Sequence, residues 1–101
     1  MQNKDFLWTV VYSNSASKQF KKLPEKIQAI IVRLKKEIET TGPIRKKWSH
    51  FSELKGKGAK STYHCHVSAG RPTYVACWTV LDKKIKIVEI CYVGTHENAP
   101  Y

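Results

Sequence analysis

Acidic residues are scarce in this sequence, and long hydrophobic runs are missing. Eight aspartates and glutamates stand against 18 lysines and arginines, so the 101 residues carry a formal net charge of +10. The longest apolar runs, such as residues 29–32, are far too short to cross a bilayer. Residues 1–5 do not lead into the apolar segment of a secretory signal, so we expect a cytoplasmic protein without membrane contact. Its length predicts a single domain over residues 1–101.

Cysteine is also sparse. Cys65, Cys77 and Cys91 are odd in number, are widely spaced and include no Cys-x-x-Cys pair. This pattern argues against a disulfide framework and against a zinc knuckle, and it is typical of a reducing compartment. All three fall in expected strands, where a free cysteine usually serves as a small core residue.

The pattern of apolar residues predicts one strand, two helices and three further strands. Residues 7–12 are β-branched and aromatic, and the segment Ser13-Asn14-Ser15 ends this strand and offers a helix N-cap. A short helix is expected to about Leu23, and a second one, with apolar residues at helical spacing, ends at Gly42-Pro43. The later strands are expected at residues 61–67, 73–81 and 85–93, after a loop over residues 43–60.

This order, βααβββ, predicts an α+β fold. The short turns between the last three strands indicate an antiparallel meander. Two amphipathic helices must bury their apolar stripe, and one face of a sheet is the natural place for it. We therefore expect a helical hairpin packed on one face of a mostly antiparallel four-stranded sheet.

Two histidines share one side of the first meander strand. Because side chains alternate along a strand, His64 and His66 point to one face, whereas Cys65 and Val67 point to the other face, which resembles core. His96 follows the last strand, and the meander allows it to come near His66. Imidazoles exchange protons near neutral pH, so one interpretation is an acid–base pair for cleavage of a phosphodiester.

Two other interpretations of these histidines stay open. In the first, His64 and His66 are merely exposed strand residues without a role in chemistry. A His-x-His pair on a strand can instead bind zinc, with His96 or His50 as further ligands, although no spacing here matches a standard zinc motif.

The positive charge is concentrated and accompanied by aromatic residues. Between Lys18 and Lys60, thirteen residues are basic and four are acidic. The run Lys55-Gly56-Lys57-Gly58-Ala59-Lys60 is not a Walker motif, and it is either a phosphate clamp or a solvated loop. Tyr101, after a polar tail, is poorly explained by packing. Together these features favour a polyanionic partner.

Taken together, these residues resemble the RelE/ParE superfamily of bacterial toxins. The similarity runs from about Phe6 to Tyr101 in element order and length, and it is closest to the mRNA endonucleases of the YafQ and RelE type. Its specific parts are the segment Leu54-Lys55-Gly56, the strand Tyr63-His64-Cys65-His66, and the ending Gly94-Thr95-His96 with Tyr101 five residues later.

The resemblance implies the toxin of a type II toxin–antitoxin pair. Such a toxin is a metal-independent endoribonuclease, needs no cofactor, and cleaves mRNA in the ribosomal A site. The RNA 2′-OH attacks the adjacent phosphate, which gives a 2′,3′-cyclic phosphate and a 5′-OH. The implied partners are the ribosome, mRNA and a cognate acidic antitoxin protein.

The resemblance also implies roles for individual residues. His66 and His96 fall on the positions of catalytic histidines, and Tyr101 falls on a C-terminal aromatic. Lys55 lies where relatives place basic residues against the scissile phosphate. The residues expected to bind the RNA are Lys57, Lys60, Arg45, Lys46 and His64.

The chain departs from the family pattern at two places. Many relatives carry an arginine in the third strand, where this chain has Tyr74-Val75-Ala76, and a basic residue where it has Glu97. Arg71 is expected to supply the missing cation from another position. Two alternatives therefore stay open: a ParE-like inhibitor of DNA gyrase, which has no need of the histidine pair, and an RNA-binding relative that no longer cuts.

Overall fold

The computed structural model describes residues 7–54 and 61–101. Two helices pack on one face of an open mixed sheet of five strands, which confirms the predicted α+β class. In chain order the elements are β1 (Thr9–Tyr12), α1 (Asn14–Lys21), α2 (Glu25–Thr41), β2 (Ser52–Leu54), β3 (Thr62–His66), β4 (Tyr74–Asp82), β5 (Ile87–Thr95) and a 3₁₀ turn at His96–Asn98.

The helical hairpin forms where the sequence places its caps and its apolar stripe. Ser13 Oγ accepts a hydrogen bond from the N–H of Ala16 at 3.0 Å, which caps α1. Gly42 ends α2 with a φ of +110°, a conformation that favours glycine, and its N–H donates to the Ile38 carbonyl. The buried stripe of α2 consists of Ile27, Ile31, Leu34 and Ile38. Neither helix has the length and apolar character to cross a membrane.

The strands lie in the order β1-β5-β4-β3-β2. The meander of β3, β4 and β5 is antiparallel, as predicted, and β1 pairs with β5 in parallel. The helical hairpin makes the crossover from β1 back to the rest of the sheet. The last strand is therefore an interior strand, with partners on both sides.

The prediction of four strands is wrong by one, because β2 lies within the segment expected to be a loop. β2 has only three residues and pairs antiparallel with β3, Ser52 opposite His64 and Leu54 opposite Thr62. Three residues are too few to show an alternating apolar pattern. The strand is thus defined by its hydrogen bonds to β3 and not by a signal in its own sequence.

The two faces of the sheet bury different amounts of apolar surface. The main core lies between the helices and the sheet, where Trp78 is fully buried and donates its indole N–H to the Pro43 carbonyl at 2.9 Å. On the other face a smaller cluster joins Val75, Cys77 and Tyr92. No polar or charged residue of the described ranges is buried.

Cys65 and Cys77 are core residues, as predicted, and the partly buried Cys91 packs against the smaller cluster. Cys65, Cys77 and Cys91 are all free thiols, and the first two are buried. Burial raises the pKa of Cys65 and of Cys77 to about 12, so neither forms a thiolate near neutral pH.

We predict that truncations on the two sides of α2 have very different costs. Ile31→Ala removes a fully buried side chain and should lower the free energy of unfolding by about 2–5 kcal/mol. Val32→Ala, at the next and exposed position, should change it by less than about 0.5 kcal/mol. Urea unfolding followed by tryptophan fluorescence measures both, and equal losses would contradict the packing described for α2.

Candidate active site

The pairing of β3 with β4 sets the position of the strand histidines. His64 lies opposite Cys77, and His66 lies opposite Val75. Cys65 between them belongs to the core under the helices, so both histidines face the other side of the sheet, as the alternation predicts.

The end of β5 brings His96 to His66. Gly94 and Thr95 pair with the first residues of β4, and the N–H of His96 continues this ladder by donating to the Thr73 carbonyl at 2.8 Å. The 3₁₀ turn then begins at His96, which is exposed. The ring centroids of His66 and His96 lie 5.3 Å apart, with the rings nearly perpendicular. The two histidines singled out in the sequence therefore meet at one place.

A third histidine joins them from the segment before β2. The ring of His50 stacks on the ring of His66, with a centroid distance of 4.1 Å and an interplanar angle of 18°. From the sequence, His50 is expected only as a possible zinc ligand. No periodicity marks the segment that carries it, so the contact with His66 has no signal in the sequence.

The tail after the 3₁₀ turn crosses the helix-free face of the sheet. Ala99 packs against the small cluster on that face, and the Tyr101 ring lies 4.5 Å from the ring of His64 and 6.1 Å from that of His96. Burial against the sheet raises the pKa of the Tyr101 phenol to about 12, even though 46% of the residue is exposed. At neutral pH the phenol is therefore protonated and can donate a hydrogen bond.

The pKa values of the two strand histidines are shifted downwards. For His66 the main cause is burial, followed by the positive charges that His50 and His96 can carry. For His64 burial is again the first cause, and its Nε2 lies 2.8 Å from Ser52 Oγ. Both imidazoles are consequently neutral at pH 7 and able to accept a proton.

Three surface grooves meet at His66. One, of about 690 Å³, also contains His96 and Arg71. A second, of about 870 Å³, runs along α2 and contains Arg45 and Lys46. The third, of about 370 Å³, is lined by the turn between β3 and β4. Three of the cations expected from the sequence thus line grooves that open onto His66.

The remaining site residues expected from the sequence are not placed. Lys55, Lys57 and Lys60 lie outside the described residues. Within residues 7–54 and 61–101, no group of three or more His, Cys, Asp or Glu side chains has an arrangement that can hold a metal ion.

The arrangement suits proton transfer at an anionic substrate. A neutral imidazole on His66 can accept a proton, a second imidazole lies across the same groove on His96, and the guanidinium of Arg71 can stabilise negative charge. Tyr101 adds a protonated phenol beside His96.

Comparisons with known proteins give one similarity in structure. No protein-family model matches the chain, and no curated protein matches it in sequence. Among solved structures, a chain in the crystal structure of the archaeal RelE–RelB complex from Pyrococcus horikoshii OT3 matches with a TM-score of 0.72 at 18% identity. The match covers 92% of this chain and 99% of that chain. The chain therefore has the RelE fold.

Proposed function

We propose that this chain is the toxin of a type II toxin–antitoxin pair and that it cleaves mRNA on the ribosome. The observation that carries the proposal is the groove in which the rings of His66 and His96 lie 5.3 Å apart, together with Arg71. The RelE fold supports it, and so does the net charge of +10, because RNA is a polyanion.

In the proposed reaction the RNA supplies its own nucleophile. A base removes the proton of the 2′-OH, the oxygen attacks the adjacent phosphorus, and the bond to the 5′-oxygen breaks as an acid protonates that oxygen. The products are a 2′,3′-cyclic phosphate and a 5′-OH. This step consumes no cofactor, and side chains can fill both the acid and the base role.

His66 is the better candidate for the base. Its lowered pKa keeps the imidazole neutral at physiological pH, which is the form that accepts a proton. His96, on the other wall of the groove, is then the acid that protonates the leaving oxygen. Tyr101 lies beside His96, and we assign it to positioning the RNA by stacking or by hydrogen bonding from its protonated phenol.

The cations divide into two groups by position. Arg71 shares the groove of His96 and is the candidate that stabilises the charge of the phosphorane. Arg45 and Lys46 line the groove along α2, and we assign them to binding of the RNA backbone next to the cleavage site. We assign His64, which lies against the Tyr101 ring, to RNA contact as well. From the sequence, we also propose that Lys55 contacts the scissile phosphate and that Lys57 and Lys60 bind the RNA.

The proposal includes a protein partner. The similar crystal structure is that of a RelE–RelB complex, and we infer that this chain is likewise neutralised by an antitoxin. A surface of net charge +10 favours an acidic antitoxin that covers the grooves at His66. Both proteins would act in the cytoplasm, where the ribosomes are.

The first test removes the proposed acid. His96→Gln should lower the rate of mRNA cleavage roughly 10²–10⁴-fold, the usual contribution of one general acid or base. The residue is exposed, so the protein should stay folded and still bind its antitoxin. Primer extension on mRNA after brief expression measures cleavage, and Lys83→Gln, in the exposed turn between β4 and β5, is the control that should cleave normally.

Other outcomes of this experiment favour the competing functions. If His96→Gln cleaves at the wild-type rate, the two-histidine mechanism is wrong. If wild-type expression stops DNA synthesis while protein synthesis continues, the gyrase-inhibitor alternative replaces ours. If the wild-type protein binds RNA and leaves it intact, the chain is a binding relative that does not cut.

The second test uses the pH dependence of cleavage. A base works only when deprotonated, so the rate should rise with pH through the pKa of His66, which lies below its ordinary value of 6.5. His50→Ala removes a neighbouring positive charge and should therefore raise the pKa of His66. The rise in rate with pH, which is the acid limb of the pH profile, should then move to higher pH. Single-turnover rates between about pH 5 and pH 9 measure the limb, and an unmoved limb would exclude His66 as the base.

The third test concerns metal ions. Because the imidazoles and cationic side chains can fill every role in attack by a 2′-OH, cleavage should persist after EDTA has removed zinc and other transition metals. The measurement uses ribosomes kept intact by added Mg²⁺ after chelation of other metals. Loss of cleavage that zinc alone restores would favour the zinc interpretation of His64 and His66.

A further inference from the structure

Residues 44–50, called here the His50 segment, present two groups to His66. The carbonyl of Ser49 accepts a hydrogen bond from the His66 N–H at 2.8 Å, and the His50 ring stacks on the His66 ring. His50 has a φ of +56°, which is unfavourable for a residue other than glycine. Such a conformation persists only where the surrounding structure enforces it.

A carboxylate on α2 contacts the middle of this segment. Glu37 Oε1 accepts hydrogen bonds from the indole Nε1 of Trp48 at 2.7 Å and from Nη1 of Arg45 at 3.3 Å. The guanidinium of Arg33, also on α2, lies 5.4 Å from the centre of the Trp48 ring. The segment is therefore joined to α2 by a charge-assisted pair, a hydrogen bond and a cation–π contact.

The flanks of the His50 segment are held by different contacts. At its start the Pro43 carbonyl accepts the indole N–H of Trp78, and at its end Phe51 stacks on Tyr63 with a centroid distance of 5.6 Å. These contacts fix where the segment begins and ends. Its middle, including Trp48 two residues before His50, is tied to α2 through Glu37.

The charge of Glu37 is hard to explain as part of a binding surface. The groove along α2 is lined by Arg33, Arg45, Lys46 and Lys47, and among the residues that line it Glu37 is the one carboxylate. A negative charge there opposes the binding of a polyanion. A role within the fold accounts for it better.

We propose that Glu37 is a positioning residue, which through Trp48 and Arg45 holds His50 against His66. The effect of Glu37 on cleavage depends on the function proposed above, whereas its effect on the arrangement of the histidines does not. The arrangement of the histidines can be measured on the protein alone, without RNA, so the two proposals fail separately.

The first experiment is NMR of the histidine side chains in the full-length protein. In Glu37→Ala the ring-to-ring NOE between His50 and His66 should disappear, and the pKa of His66 should rise towards its ordinary value because the charge of His50 has moved away. Glu37→Gln keeps an oxygen that can accept both N–H groups. The intensity of its NOE and the pKa of its His66 should therefore lie between those of Glu37→Ala and the wild type.

A matched control comes from the same helix. Glu39 lies two residues further along α2, on the opposite side, where it pairs with Lys35 at 2.8 Å. Glu39→Gln should leave the NOE and the pKa of His66 unchanged. Trp48→Phe keeps an aromatic ring under Arg33 but loses the N–H donor, so it should reproduce part of the effect of Glu37→Ala. If Glu37→Ala does not fold, Trp48→Phe provides the test instead.

The second experiment is cleavage under single-turnover conditions. Glu37→Ala should lower kcat about 10- to 100-fold with little change in KM, because His66, the proposed base, loses the His50 ring that stacks on it, and a shift of a reacting group by about 1 Å costs up to this much. Glu37→Gln should recover most of the rate. A folded Glu37→Ala or Trp48→Phe protein that keeps both the NOE and the pKa of His66 would overturn the proposal, and so would a Glu39→Gln protein that loses them.

Discussion

The register between β3, β4 and β5 is the constraint on which the whole site depends. It places His66 opposite Val75 and Val75 opposite Gly94, so the end of β5 reaches the start of β4 beside His66. A slip of β3 by one residue would turn both of its histidines towards the helices and Cys65 towards solvent. Burial of the neighbouring core residues therefore specifies the orientation of groups that contribute little to the core themselves.

The three histidines that meet in the site lie on three different kinds of backbone structure. His66 lies on a strand paired on both sides, His96 lies just beyond a strand end that is anchored by its own N–H, and His50 lies in a segment without regular structure. The same packing lowers the pKa of His66, first through burial and then through the charges that His50 and His96 can carry. The packing around the three histidines thus determines both their geometry and the protonation state of His66.

Much of this arrangement was predictable from periodicity. The helical spacing on α2 and the alternation along β3 are local patterns, and they correctly gave the buried stripe and the shared face of His64 and His66. The contact between His66 and His96 was allowed by the meander but required the actual register. β2, the stacking of His50 and the position of Tyr101 over His64 were not predictable, because each depends on contacts between residues far apart in the sequence.

The absence of charged residues from the core has a thermodynamic consequence. In the described ranges no Lys, Arg, Asp or Glu side chain is buried. The net charge of +10 therefore lies on the surface, and repulsion between the excess cations destabilises the compact state. A polyanion that binds the folded chain relieves this repulsion and adds its binding free energy to folding. The RNA and the acidic antitoxin proposed above as partners would both stabilise the fold in this way, and the unbound chain would then be the least stable form.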